Sequence, residues 1–386
     1  MRAPSRTDLE LIGLTLLIKP VLLLLGVAAA AVIANSAITA PGDMVALWNR
    51  WDAPHYLDLV VFGYRAADPG MLVGPDGYRS VYPGDLPLYI VFFPLFPWLA
   101  TPIFAVLRDP LTSVLIVSTV ASLFVAPLLY HLVAAEFGMR TARYAAWFVL
   151  IFPTAYFLHI GYTEGLFLAL VLGSFLAARR DRWWLAGILG GLAALARING
   201  LVLIPALIAE AGDQWYRDPA RRLHAKWLAI GLVGVGFAGY LALNLAIYGN
   251  PLAFLRIQNE HWFKSLAWPW EGIGGVVGSI TGRTPSDSLM LGWMELLFIG
   301  LGLAGTVYAA FRFRPSWFVW MTGNWLLFTS TAFVMSVPRY SLTLFPLFVW
   351  FAVLARRPVV LAGLSIASLL LFGFFATQFA AGRWAF

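Results

Sequence analysis

Apolar runs close to the roughly 20 residues an α-helix needs to cross a bilayer recur from one end of this chain to the other. They fall near 10–35, 111–135, 144–160, 163–178, 183–211, 227–248, 289–311, 316–336, 341–355 and 358–380. That pattern leaves few folds open, because backbone amides facing lipid must be bonded within their own helix or in a closed barrel. The runs lack the short alternation of barrel strands. They predict an all-α polytopic membrane protein with about 10–11 transmembrane helices. Composition agrees: 61% of the 386 residues are hydrophobic and 12% are charged, against about a quarter charged in a soluble domain.

Cysteine is absent, which excludes disulfides, thiolate nucleophiles and Cys-ligated metals. The net charge of +7 reads as loop-end arginines on the cytoplasmic side, not as a nucleic-acid footprint, since no long basic run occurs. The N-terminus has the basic start, apolar stretch and small-residue end of a secretory signal. Lys19 and Pro20 interrupt that stretch, so it is read as an uncleaved first span.

The stretch 86–107, "LPLYIVFFPLFPWLATPIFAVL", carries four prolines, which break helical bonding. Whether it crosses decides the topology of everything after it, and the positive-inside rule arbitrates. With Arg2 and Arg6 inside and 86–107 not crossing, the inner loops hold Arg140, Arg143, Arg179, Arg180, Arg182, Arg217, Arg221, Arg222, Lys226, Arg312, Arg314, Arg356 and Arg357. Beyond residue 111 the outer side holds only Arg256, Lys264, Arg283, Arg339 and Arg383. Crossing would invert the balance. The expectation is one domain over 1–386, with a long first outer loop (36–110) containing interfacial helices and a second outer loop (249–288). The run 183–211 is too short for two full spans at about 1.5 Å per residue. Two half-helices meeting at Arg197–Gly200 fit, and put Arg197 at mid-membrane depth near an outer cavity.

A charge at membrane depth costs about 2.5–3.5 kcal/mol on insertion scales and is a candidate functional group by default. Asp52, Glu164, Arg197 and Arg339 all open to the outer side in this topology. Each has a plainer reading. Asp52 ahead of Pro54 suits a helix cap, Glu164 a helix start, Arg197 a structural pairing, and Arg339 snorkelling at a span end. His55 shares a helical face with Asp52 and is either its partner or an interfacial aromatic. Glu295 and His159 read as interhelical contacts. An outward carboxylate beside arginines suits group transfer from a lipid phosphate. The acid takes a proton from an acceptor hydroxyl, and the arginines neutralise the departing phosphate. Trp48, Trp51, Tyr56 and Tyr64 offer faces for sugar rings. No Gly-rich nucleotide loop occurs, so a soluble nucleotide donor is not indicated.

"RWDAPHYLDLVVFGY" followed by "VFFPLFPWL" resembles the signature of the PIG-V family, GPI mannosyltransferase 2 and its prokaryotic relatives. "GYTEGLF", "ARING" and "YGNPLAFLRIQNEHW" add to it, with a weaker likeness at "PRYSLTLFPLF". The resemblance runs from about residue 48 to 262. It departs from the family's pattern at Ile198, where serine is usual, and at Pro54. It implies a GT-C fold and an inverting mannosyltransferase using a polyprenyl-phosphate mannose donor at the non-cytoplasmic face of the plasma membrane. Asp52 matches the family's acid in the first outer loop and Glu164 its second acid, with His55 assisting. Arg197 and Arg339 are expected on the donor phosphate, and Trp51, Tyr64, Asn199 and Tyr162 on substrate. The acceptor is a glycolipid or glycan hydroxyl; the eukaryotic acceptor is not carried over, since the composition looks bacterial. No cofactor is required, and a divalent metal, used by some GT-C enzymes, is not expected. Membrane lipids are partners and nucleic acid is not. The rival readings are a lipid or sugar transporter or flippase, which also uses broken helices, and an inactive scaffold.

Overall fold

The computed structural model describes residues 5–67 and 72–386; Arg2, counted above on the inner side, lies outside the described residues. Helix α1 (Arg6–Val32) starts on a capping box in which the Ser5 side chain and Asp8 satisfy each other's backbone N–H groups. Lys19, midway along it, donates to the carbonyl of His159 at 3.4 Å, which gives this intramembrane cation a partner. The segment 36–110, expected as the first outer loop, carries α2 (Pro41–Ala46), α3 (Ala53–Phe62) and α4 (Leu95–Leu107). The proline-rich stretch is therefore not one helix. A 3-10 turn over Leu86–Val91 breaks at extended Phe92 before α4 begins.

Helix α5 (Pro110–Ile151) is capped by Asp109, which accepts from the Thr112 N–H at 3.0 Å. It joins two helices across Gly138, whose φ of 81° and ψ of 165° only glycine adopts readily. The second of these stops at Ile151, so the span expected over 144–160 is corrected: 152–163 is irregular chain with a 3-10 turn at Ala155–Leu158. Then come α6 (Glu164–Arg179), α7 (Trp183–Ala196), α8 (Leu203–Arg217) and α9 (Gly231–Tyr248). The segment 249–288, expected as the second outer loop, holds α10 (Ala253–Trp262) and α11 (Pro269–Gly278). It is no free loop. An antiparallel bridge pairs Leu266 with Thr331. Helices α12 (Pro285–Asp287), α13 (Glu295–Arg312), α14 (Pro315–Thr329), α15 (Val337–Ser341), α16 (Pro346–Leu354) and α17 (Pro358–Ala380) complete the chain.

Among the described residues, five helical stretches are long and apolar enough to span a membrane: Arg6–Val32, Pro110–Ile151, Ala225–Tyr248, Pro285–Arg312 and Pro358–Ala380. The 16 residues of α6 and the 15 each of α8 and α14 reach about 22–24 Å at the helical rise, short of a hydrocarbon core of about 30 Å. Each is continued by irregular chain: 152–163 before α6, 197–202 before α8 and 330–336 after α14. The first two of these segments meet where Arg197 donates to the Thr163 hydroxyl. Non-helical backbone at such depth is tolerated where it is buried in protein or lines a wet cavity, and here it gathers the charged residues.

The expected break in 183–211 is present. Helix α7 ends at Ala196, Arg197 is extended (φ −158°, ψ 148°), and a 3-10 turn over Ile198–Val202 leads into α8. Gly200 lets this turn fold back on α7, since a Cβ there would lie 2.3 Å from the Ala194 nitrogen. Gly200→Ala is therefore expected to destabilise the protein by about 1–3 kcal/mol through overpacking. Thermal unfolding of the purified variant checks it, and an unchanged midpoint would contradict the close approach.

Candidate active site

Asp52 stands at the N-cap of α3, yet its side chain makes no capping bond. The cap reading of Asp52 fails on that point. Its carboxylate instead accepts from Arg339 Nη1 at 2.6 Å. Arg339 Nε donates to Glu164 Oε1 at 2.5 Å, and Arg197 Nη1 donates to the same oxygen at 2.5 Å and to Thr163 Oγ1 at 2.8 Å. The result is one chain of alternating charge, Asp52–Arg339–Glu164–Arg197, two acids against two guanidiniums. Glu164 side chain is 0% exposed and that of Arg339 7%, whereas Asp52 keeps 30% exposure at one end of the chain. Charges this deep are tolerated because every one has an opposite partner.

The arginines are held by aromatic faces as well as by acids. Arg339 lies 4.6 Å from the Tyr162 ring centre and 5.0 Å from that of Phe157; Arg197 lies 5.6 Å from Tyr340. Burial raises the pKa of the Asp52 carboxyl, but the Arg339 guanidinium, with help from His55 and Arg197, outweighs it and holds the group below the ordinary 3.8. At neutral pH it is an anion.

The other expected residues are placed as follows. The His55 ring stacks near Tyr82 and Phe92, at 5.3 and 4.8 Å, edge-on to Tyr89, and its Nδ1 has no partner. Burial pushes it below 6.5 despite the pull of Asp52, so it is neutral at pH 7. The interfacial-aromatic reading of His55 describes its contacts. Tyr162 is fully buried and works on the backbone: its hydroxyl donates to the Arg50 carbonyl at 2.8 Å and accepts from the Asp52 N–H at 3.1 Å. Asn199 donates to Asn324 at 2.9 Å, joining the 3-10 turn to α14. Tyr64 donates to the Phe92 carbonyl at 2.7 Å. Trp51 sits edge-on to Trp384 at 5.1 Å, on a backbone with positive φ (55°). Trp48 and Tyr56, offered above as sugar platforms, are core residues at 4% and 5% exposure, and their faces are taken by neighbours such as Phe379 and Phe92.

Four residues gain a place the sequence did not give them. Glu295, 0% exposed, accepts from the N–H groups of Ser336 and Val337 at 2.7 and 2.8 Å. With Thr154, which donates to the Pro338 carbonyl at 2.9 Å, it pins the turn that presents Arg339. Lys264, carried in by the bridged segment 249–288, donates to Tyr340 Oη at 3.1 Å and adds a third cation beside the arginines. Asp58, fully buried on α3, accepts from the Tyr78 and Ser80 hydroxyls at 2.8 Å each and so ties the chain around residues 78–80 to the helix that Asp52 begins. A carboxylate in an apolar run flags Glu295; nothing local marks Lys264 or Asp58.

Comparison with known proteins bears on this arrangement. A family model described as dolichyl-phosphate-mannose-protein mannosyltransferase matches residues 87–242, a region that contains Glu164 and Arg197 but neither Asp52 nor Arg339. GPI alpha-1,6-mannosyltransferase 2 of Cricetulus griseus is 30% identical over 168 residues, which cover 42% of this chain and 31% of that protein. Terpene cyclase terB of Tolypocladium album is 24% identical over 145 residues, covering 38% of this chain and 57% of that one. The match thus spans about a third of the length of the curated mannosyltransferase relatives. In fold, the chain superposes on ArnT from Cupriavidus metallidurans, solved bound to undecaprenyl phosphate, with a TM-score of 0.51 and 17% identity, over 92% of this chain and 62% of that one. The chain is an all-α, multi-pass membrane protein that shares its fold with ArnT, and over 42% of its length its sequence is similar to GPI alpha-1,6-mannosyltransferase 2.

Proposed function

We propose that this protein is an inverting mannosyltransferase that moves mannose from a polyprenyl-phosphate mannose donor to a hydroxyl of a lipid-linked or glycan acceptor. The single observation that carries the reading is the charge chain Asp52–Arg339–Glu164–Arg197, assembled where short helices give way to irregular backbone. At rest its charges cancel. A donor phosphodiester brings one negative charge and competes with Asp52 for Arg339 and with Glu164 for Arg197. Lys264 joins them on the phosphate. Once Arg339 turns to the donor, the Asp52 carboxylate loses its strongest partner and becomes a better base. The acceptor oxygen then attacks the anomeric carbon. The bond from that carbon to the phosphate oxygen breaks, its electron pair leaving with the polyprenyl phosphate, and the acceptor proton passes to Asp52. Before the donor arrives, Glu164 holds the two guanidiniums side by side on one oxygen. Trp51 and Tyr64 border the sugar.

The family description and the undecaprenyl phosphate in the ArnT crystal support the donor class. We assign no metal to the reaction, because both acids of the site are engaged by guanidinium groups. The transporter reading shares the broken α7–α8 unit, but its Arg197 is bonded into the same charge chain. Purified protein given radiolabelled polyprenyl-phosphate mannose and host lipid extract is expected to move label to a new product, whose identity names the acceptor. Binding of the donor with no transfer in any extract would favour transport.

The reading further places the site outside the plasma membrane and the N-terminus in the cytoplasm. In this Cys-free chain an Asp76→Cys variant, at an exposed turn of the first outer loop, is expected to react with an impermeant maleimide in intact cells. Protection there, with reaction only after lysis, would reverse the orientation.

A further inference from the structure

Helix α6 starts at Glu164 in the candidate site and ends at Arg179, about 22 Å away at the helical rise. At that far end lies a second concentration of charge. The C-terminal turns of α6 and α8, the middle of α5 and the start of α14 surround a cavity of about 510 Å³, within the roughly 300–1,000 Å³ of small-molecule sites. Arg179, Arg180, Arg217 and Arg314 line it, against the acids Glu210 and Asp218.

Both lining acids are already engaged. Glu210, 0% exposed, accepts from the Ser316 hydroxyl at 2.6 Å and contacts Arg179 Nε at 2.9 Å. Asp218 accepts from the backbone N–H groups of Ala220 and Arg222. Arg314 is fixed by Glu136 and Asp213, each at 2.7 Å. Donors are left over. Arg179 is bonded to Glu136 through Nη1, but its Nη2 is buried without a partner. Arg180 is exposed, and among the described residues its side chain makes no ion pair. A buried guanidinium donor left open is costly unless a ligand completes it, and guanidinium groups pair with phosphate oxygens through two parallel bonds.

We propose that this cavity is an anion site for a phosphate group, separate from the candidate active site. The phosphate is borne by an acidic phospholipid headgroup or by a free phosphate compound. Basic pockets between membrane helices commonly take lipid headgroups, and this one opens at the end of the bundle opposite Asp52.

Thermal unfolding of the purified full chain in neutral detergent tests the site and its source. The probes are short-chain phosphatidylglycerol, phosphatidylcholine of the same chain length, and inorganic phosphate. Phosphatidylglycerol is expected to raise the midpoint saturably where phosphatidylcholine does not. The exposed double variant Arg180→Gln/Arg217→Gln is expected to weaken that effect on the order of tenfold in half-saturating concentration. Arg356→Gln/Arg357→Gln, exposed but outside the cavity, is expected to leave it unchanged. A shift with inorganic phosphate, lost in the same cavity variant, supports the site and assigns it to a free phosphate compound. No saturable shift with either anion, or equal weakening by the two double variants, overturns the proposal.

Discussion

Asp52→Asn is expected to lower mannosyl transfer by about two to four orders of magnitude, the usual contribution of a positioned general base. The change keeps shape and removes charge, so the loss is read in kcat rather than in donor binding. Folding suffers less than a fully buried carboxylate would impose, because Asp52 is 30% exposed and its partner Arg339 retains Glu164. Transfer within tenfold of wild type, at equal thermal stability, would remove Asp52 from the chemistry. Acidity gives a second reading of the same group. Burial works to raise its pKa, but Arg339 depresses it below 3.8. The pairing then adds stability above the unfolded-state value, and that stability is lost only as pH falls through the lower folded value. Over about pH 5 to 8, where an unperturbed histidine titrates, Asp52 itself produces no acid limb in donor-free protein.

Glu164→Gln is expected to have the largest effect on stability, a loss of about 3–5 kcal/mol, as when one partner of a buried ion pair is removed. Glu164 Oε1 is the meeting point of Arg197 and Arg339. A neutral amide in its place leaves two guanidiniums facing each other with no shared anion between them. Removing one cation as well should restore part of the loss. The double variant Glu164→Gln/Arg197→Gln is therefore expected to melt higher than Glu164→Gln alone, a coupling of about 0.5–3 kcal/mol. Additive losses in this cycle would mean that Glu164 and Arg197 do not pair in solution.

Much of the site was legible because lipid makes charge conspicuous. Asp52, Glu164, Arg197 and Arg339 stand out against apolar neighbours, and charge balance between loops put them on one side. The break at Arg197 was legible from length alone, since 183–211 could not hold two spans. What stayed hidden depends on register and distance. Glu295 shows as a charge in an apolar run, but the N–H groups that donate to it lie 41 and 42 residues later, and a π-helical stretch over Ser288–Met294 leads into it. Lys264 lies in a polar segment where one more cation carries no signal, and only the bridge to Thr331 brings it inward. The end of α5 at Ile151 was missed because the irregular chain that follows is as apolar as a helix would be. Tyr162 and Asn199 sit in the motifs expected of them, but their polar atoms are bonded to protein groups.

The spacing of the charge chain along the sequence also dictates an order of assembly during membrane insertion. Arg197 follows Glu164 by 33 residues, within the adjoining α6–α7 hairpin, so the two can enter the bilayer as an already neutral pair. Asp52 waits far longer, for it meets Arg339 only across a separation of 287 residues. Until the last quarter of the chain has emerged from the ribosome, the early half holds a compensated Glu164 and a solitary Asp52 near water. The acid that must wait is thus the one at the wet edge, where waiting costs least.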